Sequence, residues 1–175
     1  MTWEPNSQHS SHLVAAQLRQ IGLFGALPDE VLEQLSQILT TAQVETGSIL
    51  FREGEDGRDM YVLLNGEMEV LKRSKGGADA RVALLGPGDW FGEMSIVDIQ
   101  PRSASVRALA PSVLLRVSTG DLDFLYRHDL RSYALVVLNL ARELSRRLRV
   151  ADGILADLIA SVFDSVFSRR GPEQR

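Results

Sequence analysis

The sequence has no cysteine among its 175 residues. This absence excludes disulfides, thiolate zinc sites and thiol catalysis together. Histidine is also scarce: it occurs only at His9, His12 and His128. We interpret all three as solvated side chains, since two of them lie in a polar N-terminal segment. The sequence therefore predicts no metal site.

Long hydrophobic runs are lacking as well. The longest candidate, Tyr133 to Ala141, is interrupted by Asn139 and falls well short of the roughly 20 residues of a membrane span. The N-terminus has Glu4 early and a polar stretch after it, which is unlike a secretory signal. We expect a cytoplasmic protein with no membrane span.

Excess positive charge is the third absence. The formal net charge is −4. The chain is therefore a poor candidate for a general nucleic-acid binder, because such proteins gain most of their affinity by neutralising phosphates. Hydrophobic residues make up 45% of the chain and charged residues 24%, as is usual for a globular protein. The length suits one domain with an extension.

Three zones follow one another between a flexible N-terminus (1–12) and a tail (169–175). Residues 13–39 predict two short helices, with Pro28 in the first turn of the second. Residues 42–117 contain short apolar segments separated by glycine-rich turns, which predicts the strands of a double-sheet roll. Within that zone, Asn65-Gly66 predicts a hairpin turn, because such a turn needs positive φ at both central positions and Asn-Gly is the favoured dipeptide there.

The third zone predicts a long helix from Leu130 to Phe167, after a shorter one capped by Thr119. Apolar residues recur in it at spacings of 4, 3, 4, 3 and 4, as in a heptad seam. The seam residues are Leu144, Leu148, Ala151, Leu155, Leu158 and Val162. Such a helix either packs on its own roll or pairs with a second copy. We favour the homodimer, because the apolar face is wider than a small roll needs to bury.

The segment 91–106 has the residue types that an anionic sugar phosphate requires. A helical turn after Gly92 would point backbone N–H groups at an anion. Arg102 offers planar, bidentate donors for phosphate oxygens, and Glu93 can accept hydrogen bonds from a sugar hydroxyl. The alternative is a structural ion pair beside a turn.

Two motifs in this segment, Phe91-Gly92-Glu93-Met94-Ser95 and Pro101-Arg102-Ser103-Ala104, resemble the phosphate-binding cassette of cyclic nucleotide-binding domains. That family includes the catabolite activator and protein kinase A regulatory subunit types. The similarity extends over about Leu18 to Val150. The resemblance implies an α+β fold: a double-sheet β-roll with N-terminal helices, a short cassette helix and a long C-terminal helix. The domain would span 13–128 and the dimerisation helix 129–168.

The resemblance also implies a ligand, cAMP or cGMP, and a role for each cassette residue. Glu93 would bind the ribose 2′-hydroxyl and Arg102 the cyclic phosphate. Gly92, Met94 and Ser95 would lend backbone groups, and Ser103 its hydroxyl. Phe91 and Ala104 complete the motif. Leu84 and Met94 would form apolar walls for the purine.

The resemblance implies that the long helix contributes to recognition of the base, and Asp152 falls at the position that faces the purine in the catabolite activator type. A carboxylate accepts hydrogen bonds from guanine but cannot donate to adenine. Together with Ser103, Asp152 favours tolerance of cGMP. The alternative for Asp152 is an ordinary solvated position on the helix.

The resemblance predicts a sensor and not an enzyme. About eight residues follow Phe167, too few for a helix-turn-helix domain, so we expect no direct DNA binding. The signal would pass to an unknown protein partner or through rearrangement of the dimer. Alternatives are a nucleotide-free interaction scaffold and a cyclic di-GMP binder with the same fold. A cupin-type metalloenzyme is disfavoured, because no histidine lies between residues 42 and 117.

Overall fold

The computed structural model describes residues 15–167, and for residues 164–167 the backbone alone. The expected flexible N-terminus (1–12) and tail (169–175) lie outside the described residues, as do His9 and His12. The chain divides into two compact units between Val137 and Leu138. The predicted domain boundary at residue 128 stays a prediction.

The first unit begins with two helices, α1 (Ala15–Arg19) and α2 (Asp29–Ile38), with a 3₁₀ turn (Gly22–Phe24) between them. Pro28 does not lie in the first turn of α2 but at the N-cap before it, with an extended ψ of 151°. Leu32 and Leu35 bury one face of α2, as their helical spacing predicts.

Eight strands follow and form two four-stranded sheets, which confirms the predicted α+β double-sheet roll. One sheet has the order β1-β8-β3-β6 and the other β2-β7-β4-β5. The strands are β1 (Thr40–Val44), β2 (Ile49–Phe51), β3 (Asp59–Asn65), β4 (Met68–Arg73), β5 (Asp79–Leu85), β6 (Trp90–Phe91), β7 (Ser105–Ala108) and β8 (Ser112–Ser118).

The inward faces of the two sheets share one hydrophobic core. Its aromatic members are Phe51 from β2, Tyr61 from β3 and Phe91 from β6. The rings of Tyr61 and Phe91 stack with centroids 5.8 Å apart, and each lies 6.2 Å from the Phe51 ring. Strands from both sheets therefore meet at one aromatic cluster.

The hairpin predicted at Asn65-Gly66 is wrong. Strands β3 and β4, which this turn connects, belong to different sheets. A type I′ hairpin needs positive φ at both turn residues, and here Gly66 has a φ of 101° while Asn65 is not in that region. A Cβ at Gly66 would overlap Ser112, so the glycine serves a tight corner between the sheets.

Three helices complete the fold: α3 (Met94–Val97), α4 (Thr119–His128) and α5 (Leu130–Phe167). Ser118, and not Thr119, is the N-cap of α4, and it forms a reciprocal capping box with Asp121. The predicted bounds of the long helix agree with α5. None of the helices within residues 15–167 combines the length and the apolar character that crossing a bilayer requires.

Candidate functional site

Arg102 is buried at the edge of the aromatic cluster, with only 5% of its surface exposed. Its guanidinium lies over the Phe51 ring, 4.1 Å from the centroid. Its NH1 group donates to the backbone carbonyls of Asp59 at 2.7 Å and Gly92 at 3.0 Å. The stacking and the two hydrogen bonds fix the guanidinium in one plane.

Two glycines make room for this guanidinium. A Cβ on Gly57 would overlap its Nε and Cζ atoms, and a Cβ on Gly92 would lie 2.7 Å from NH1. Gly92 also has a φ of 81°, a conformation that other residues rarely adopt. Glycine is therefore required at both positions for Arg102 to lie where it does.

The buried guanidinium is incompletely satisfied. Its Nε atom is buried and has no hydrogen-bond partner among the described residues. Burial lowers the pKa of Arg102, and the surrounding Tyr61, Asp59, Glu55 and Glu93 oppose that change. An arginine keeps its charge in proteins, so the site holds a buried cation with a free donor. Such a donor is costly unless an acceptor joins it.

Glu93 is the second buried charged residue of the site, with 3% of its surface exposed. It immediately precedes α3, and its carbonyl accepts from the amides of Ile96 and Val97, both at 3.0 Å. Its carboxylate interacts electrostatically with Arg102. The structure therefore brings Glu93 and Arg102 together across nine positions of sequence.

Backbone hydrogen bonds hold the chain on either side of the Arg102 side chain. The Arg102 amide donates to the Glu55 carbonyl at 2.8 Å, and the Gly54 amide donates to the Arg102 carbonyl at 2.9 Å. The Glu53 amide donates to Ser105 Oγ at 2.9 Å. The loop 53–55 thus orients the segment that carries the arginine.

Other predicted residues of the cassette are close by. Phe91 pairs with Tyr61 in the sheet and is a core residue. Ser95 is buried, whereas Met94 is half-exposed. The Ser103 hydroxyl donates to Met94 Sδ at 3.4 Å, which places both side chains on one side of the cassette. Ala104 is half-buried.

Two further predicted site residues, Leu84 and Asp152, lie outside the segment 91–106. Leu84 is paired with Glu69, so it lies on the opposite sheet face from the core residues Met68 and Leu85. Its role as a wall for the base stays a prediction. Asp152 lies in the second unit, where it is exposed, and its contact with a base stays a prediction.

Sequence reasoning did not single out Phe51, Gly57 or Asp59. A glycine such as Gly57 is typical of a turn, but nothing in the sequence says that an arginine 45 positions later fills the space above it. Asp59 acts through its carbonyl, which every residue type has, while its carboxylate binds Arg116 at 2.8 Å. Contacts of this kind depend on the tertiary fold.

Within the described part of the chain, no group of three or more histidine, aspartate or glutamate residues could hold a metal ion. The chemistry of the site is that of hydrogen bonding and charge: one buried cation, one buried carboxylate, and the first amides of a short helix.

Comparison with known protein families gives a match to the cyclic nucleotide-binding domain over residues 41–129. The chain is also similar to the cyclic AMP receptor protein of Thermus thermophilus, with 38% identity over 73% of this chain and 57% of that protein. A CRP-like cAMP-activated global transcriptional regulator of Mycobacterium tuberculosis is 31% identical over 81% of this chain and 62% of that protein. The chain spans about three-fifths of the length of these relatives.

Solved structures show the same architecture. The catabolite activator protein of Thermus thermophilus superposes with a TM-score of 0.68 at 34% identity, over 79% of this chain and 63% of that chain. A cyclic nucleotide-binding domain from Methylobacillus flagellatus gives a TM-score of 0.70 at 25% identity, over 93% of this chain and 85% of that chain.

Proposed function

Because the chain belongs to the cyclic nucleotide-binding domain family, we propose that it is a sensor of a cyclic mononucleotide, cAMP or cGMP. The cyclic phosphate binds Arg102 and the ribose 2′-hydroxyl binds Glu93. The observation that carries this proposal is the buried guanidinium whose Nε lacks a partner, next to a buried carboxylate.

The chemistry of the two groups matches the two ends of such a ligand. A phosphate accepts hydrogen bonds and is negatively charged, so it complements the free donor of Arg102. A ribose hydroxyl can donate to Glu93. The amides of Met94 and Ser95, at the start of α3, add donors for the phosphate, because the first turn of a helix leaves its N–H groups without intrahelical acceptors.

We assign discrimination of the base to the side of the cassette where Ser103 and Met94 meet. The Ser103 hydroxyl can turn from Met94 Sδ, a weak acceptor, to a stronger acceptor on the ligand. Met94 is half-exposed and offers an apolar surface to a purine. On this basis the site accepts cGMP in addition to cAMP.

We further propose that α5 pairs with α5 of a second copy, in parallel and in register. The seam residues Leu148, Leu155, Leu158 and Val162 are all more than half-exposed within this chain. On the heptad that they define, Arg147 is a g position and Asp152 the e position five residues later. In a parallel pair these two positions face each other across the helices. Asp152 has no partner among the described residues, so the second copy supplies one.

The signal passes from the cassette to α5 through the junction at Asp129. This residue ends α4 with φ −147° and ψ 88°, outside the helical region. A non-helical residue between two helices can absorb a change in direction. Ligand binding shifts the population of two orientations of α5, and the dimer or a protein partner responds to that shift.

Titration calorimetry tests the ligand. We expect wild-type protein to bind cAMP or cGMP with a dissociation constant far below about 1 mM. Arg102→Ala should weaken binding at least ~100-fold, because it removes the buried positive charge that binds the cyclic phosphate. Arg127→Ala, an exposed arginine on α4 paired with Asp123, is the charge-matched control and should bind as wild type.

The ribose contact has its own test, with 2′-deoxy-cAMP as the probe. Wild-type protein should bind this analogue about tenfold more weakly than cAMP. For Glu93→Gln, the difference in affinity between the two ligands should be smaller. Binding weaker than millimolar, equal binding by Arg102→Ala, or binding of cyclic di-GMP alone would each overturn the proposed function.

A further inference from the structure

Lys72 contacts the cassette from the end of β4. Its Nζ atom donates to the Ser103 carbonyl at 2.5 Å and to Glu53 Oε1 at 2.8 Å. The second oxygen of Glu53 accepts from the Arg73 amide at 2.9 Å. One ammonium and one carboxylate thus join three segments: loop 53–55, the end of β4, and the stretch 102–105.

The place of Lys72 in the sheet explains why a side chain is needed there. The β4–β7 ladder ends where Leu71 faces Ser105. Beyond that pair the cassette leaves the sheet, so Arg102, Ser103 and Ala104 have no partner strand in this ladder. The ammonium binds the Ser103 carbonyl where the backbone of β4 no longer does.

Glu53 keeps the ammonium in that position. Hydrogen bonds from the Arg73 amide and from Lys72 lower the pKa of the Glu53 carboxyl, so it is ionised at neutral pH. Lysine side chains are flexible, and a charged acceptor with a second anchor on the backbone of β4 restricts where the ammonium can lie. The pair is half-exposed, so its contribution to stability is small.

We propose that Lys72 is a positioning residue for the nucleotide: held by Glu53, its ammonium fixes the Ser103 peptide group and with it the hydroxyl of Ser103 and the backbone of Arg102. The inference rests on the proposed function. It adds a specificity role for a residue outside the cassette, because Ser103 lies on the side assigned to the base.

The matched control is Lys75, the other lysine of the chain, in the exposed turn after β4. Lys72→Met and Lys75→Met remove the same charge and keep a similar apolar stem. Calorimetry with cAMP and cGMP should show that Lys72→Met weakens binding about tenfold, as expected for loss of a charged hydrogen bond. Lys75→Met should lose less than about twofold, and Lys72→Arg should recover most of the affinity.

Two readouts separate positioning from general damage. Lys72→Met should change the ratio of the cGMP and cAMP dissociation constants in the same direction as Ser103→Ala, while its melting temperature stays close to that of Lys75→Met. Glu53→Gln should weaken binding in the wild-type background and have little further effect beside Lys72→Met, since the two residues act as one unit.

Equal affinities of Lys72→Met and Lys75→Met, or an unchanged nucleotide ratio in Lys72→Met, would overturn the positioning role. These results differ from failure of the proposed function, in which the wild-type protein itself does not bind either nucleotide. If Lys72→Met does not fold, Glu53→Gln decides the same question, because it removes the charged acceptor that holds the ammonium: an affinity equal to that of wild type in this variant would contradict the proposal.

Discussion

At Arg102, burial and hydrogen bonding oppose each other. Burial disfavours the charged guanidinium, and two backbone carbonyls and the Phe51 ring offset only part of that cost. The Nε donor remains unpaired. A residue in this state gains more from an anionic ligand than an exposed arginine does, because the desolvation of the cation has already occurred on folding.

The space for Arg102 depends on Gly57, and this gives a prediction at the same scale. Gly57→Ala places a methyl group where the guanidinium lies, so we expect nucleotide binding to weaken at least ~10-fold. Gly86→Ala is the control, since a Cβ there meets nothing within 4 Å. Titration calorimetry compares the two variants, and equal affinities would show that Arg102 does not bind the ligand from its buried position.

The sequence indicated Arg102 and Glu93 because their types and their spacing are informative in themselves. The remaining contacts of Arg102 use a ring, a missing side chain and two backbone carbonyls. Any aromatic residue and any glycine could supply the first two, so Phe51 and Gly57 could be assigned only once the sheets had brought them to the arginine.

Among the secondary-structure elements, strand positions were predictable and strand partners were not. Short apolar segments between glycine-rich turns predicted strands within residues 42–117, but β1 and the two-residue β6 have too little apolar character to stand out. The error at Asn65-Gly66 has the same cause. A local turn signal says that the chain bends, and only the core determines whether the next strand joins the same sheet.

The junction between α4 and α5 depends on one carboxylate. Asp129 accepts from the amides of Arg131 at 3.0 Å and Ser132 at 3.3 Å, and from the Ser132 hydroxyl at 2.6 Å. The hydrogen bonds from Ser132 lower the pKa of Asp129 in the folded protein. These bonds satisfy amides at the start of α5 that have no intrahelical acceptor.

The sign of this pKa change fixes a pH dependence. Since the folded pKa of Asp129 lies below the unfolded value, its stabilising effect is complete above the unfolded pKa of about 3.9 and is lost as the pH falls through the lower folded value. Asp129→Ala should melt roughly 2–5 °C below wild type at pH 7, and the gap should close in strong acid.

Thermal unfolding followed by circular dichroism measures that gap. Asp123→Ala is the control, because Asp123 forms an exposed i,i+4 pair with Arg127. It should change the melting temperature by less than about 1 °C. A gap between Asp129→Ala and wild type that persists unchanged below pH 3 would show that the aspartate acts through something other than its charge.

On the scale of the whole molecule, the described part of α5 beyond Arg147 exposes more apolar surface than a solvated helix normally does. Eight large apolar residues in this stretch are each 47% exposed or more. They are Leu148, Val150, Ile154, Leu155, Leu158, Ile159, Val162 and Phe163. No polar residue interrupts the seam from Leu148 to Val162. A continuous apolar face of this kind marks an interaction surface.

Sedimentation velocity tests whether a second copy covers that face. Leu155→Gln, at a seam position, should weaken dimerisation at least ~30-fold, because it removes apolar burial from both helices. Val150→Gln changes an equally apolar and 53% exposed residue that lies off the seam, and it should dimerise as wild type. If the wild-type chain is monomeric at all concentrations, the pairing proposal fails.

The orientation of the pair follows from a charge swap. Arg147→Glu and Asp152→Arg should each weaken the dimer by roughly threefold or more, and the double variant should recover, because parallel helices bring g and e positions together. In an antiparallel pair e positions face e positions, so the double variant would not recover. The alternative role of Asp152, contact with guanine, predicts instead that Asp152→Arg weakens cGMP binding and leaves dimerisation unchanged, so calorimetry and sedimentation on that single variant separate the two roles.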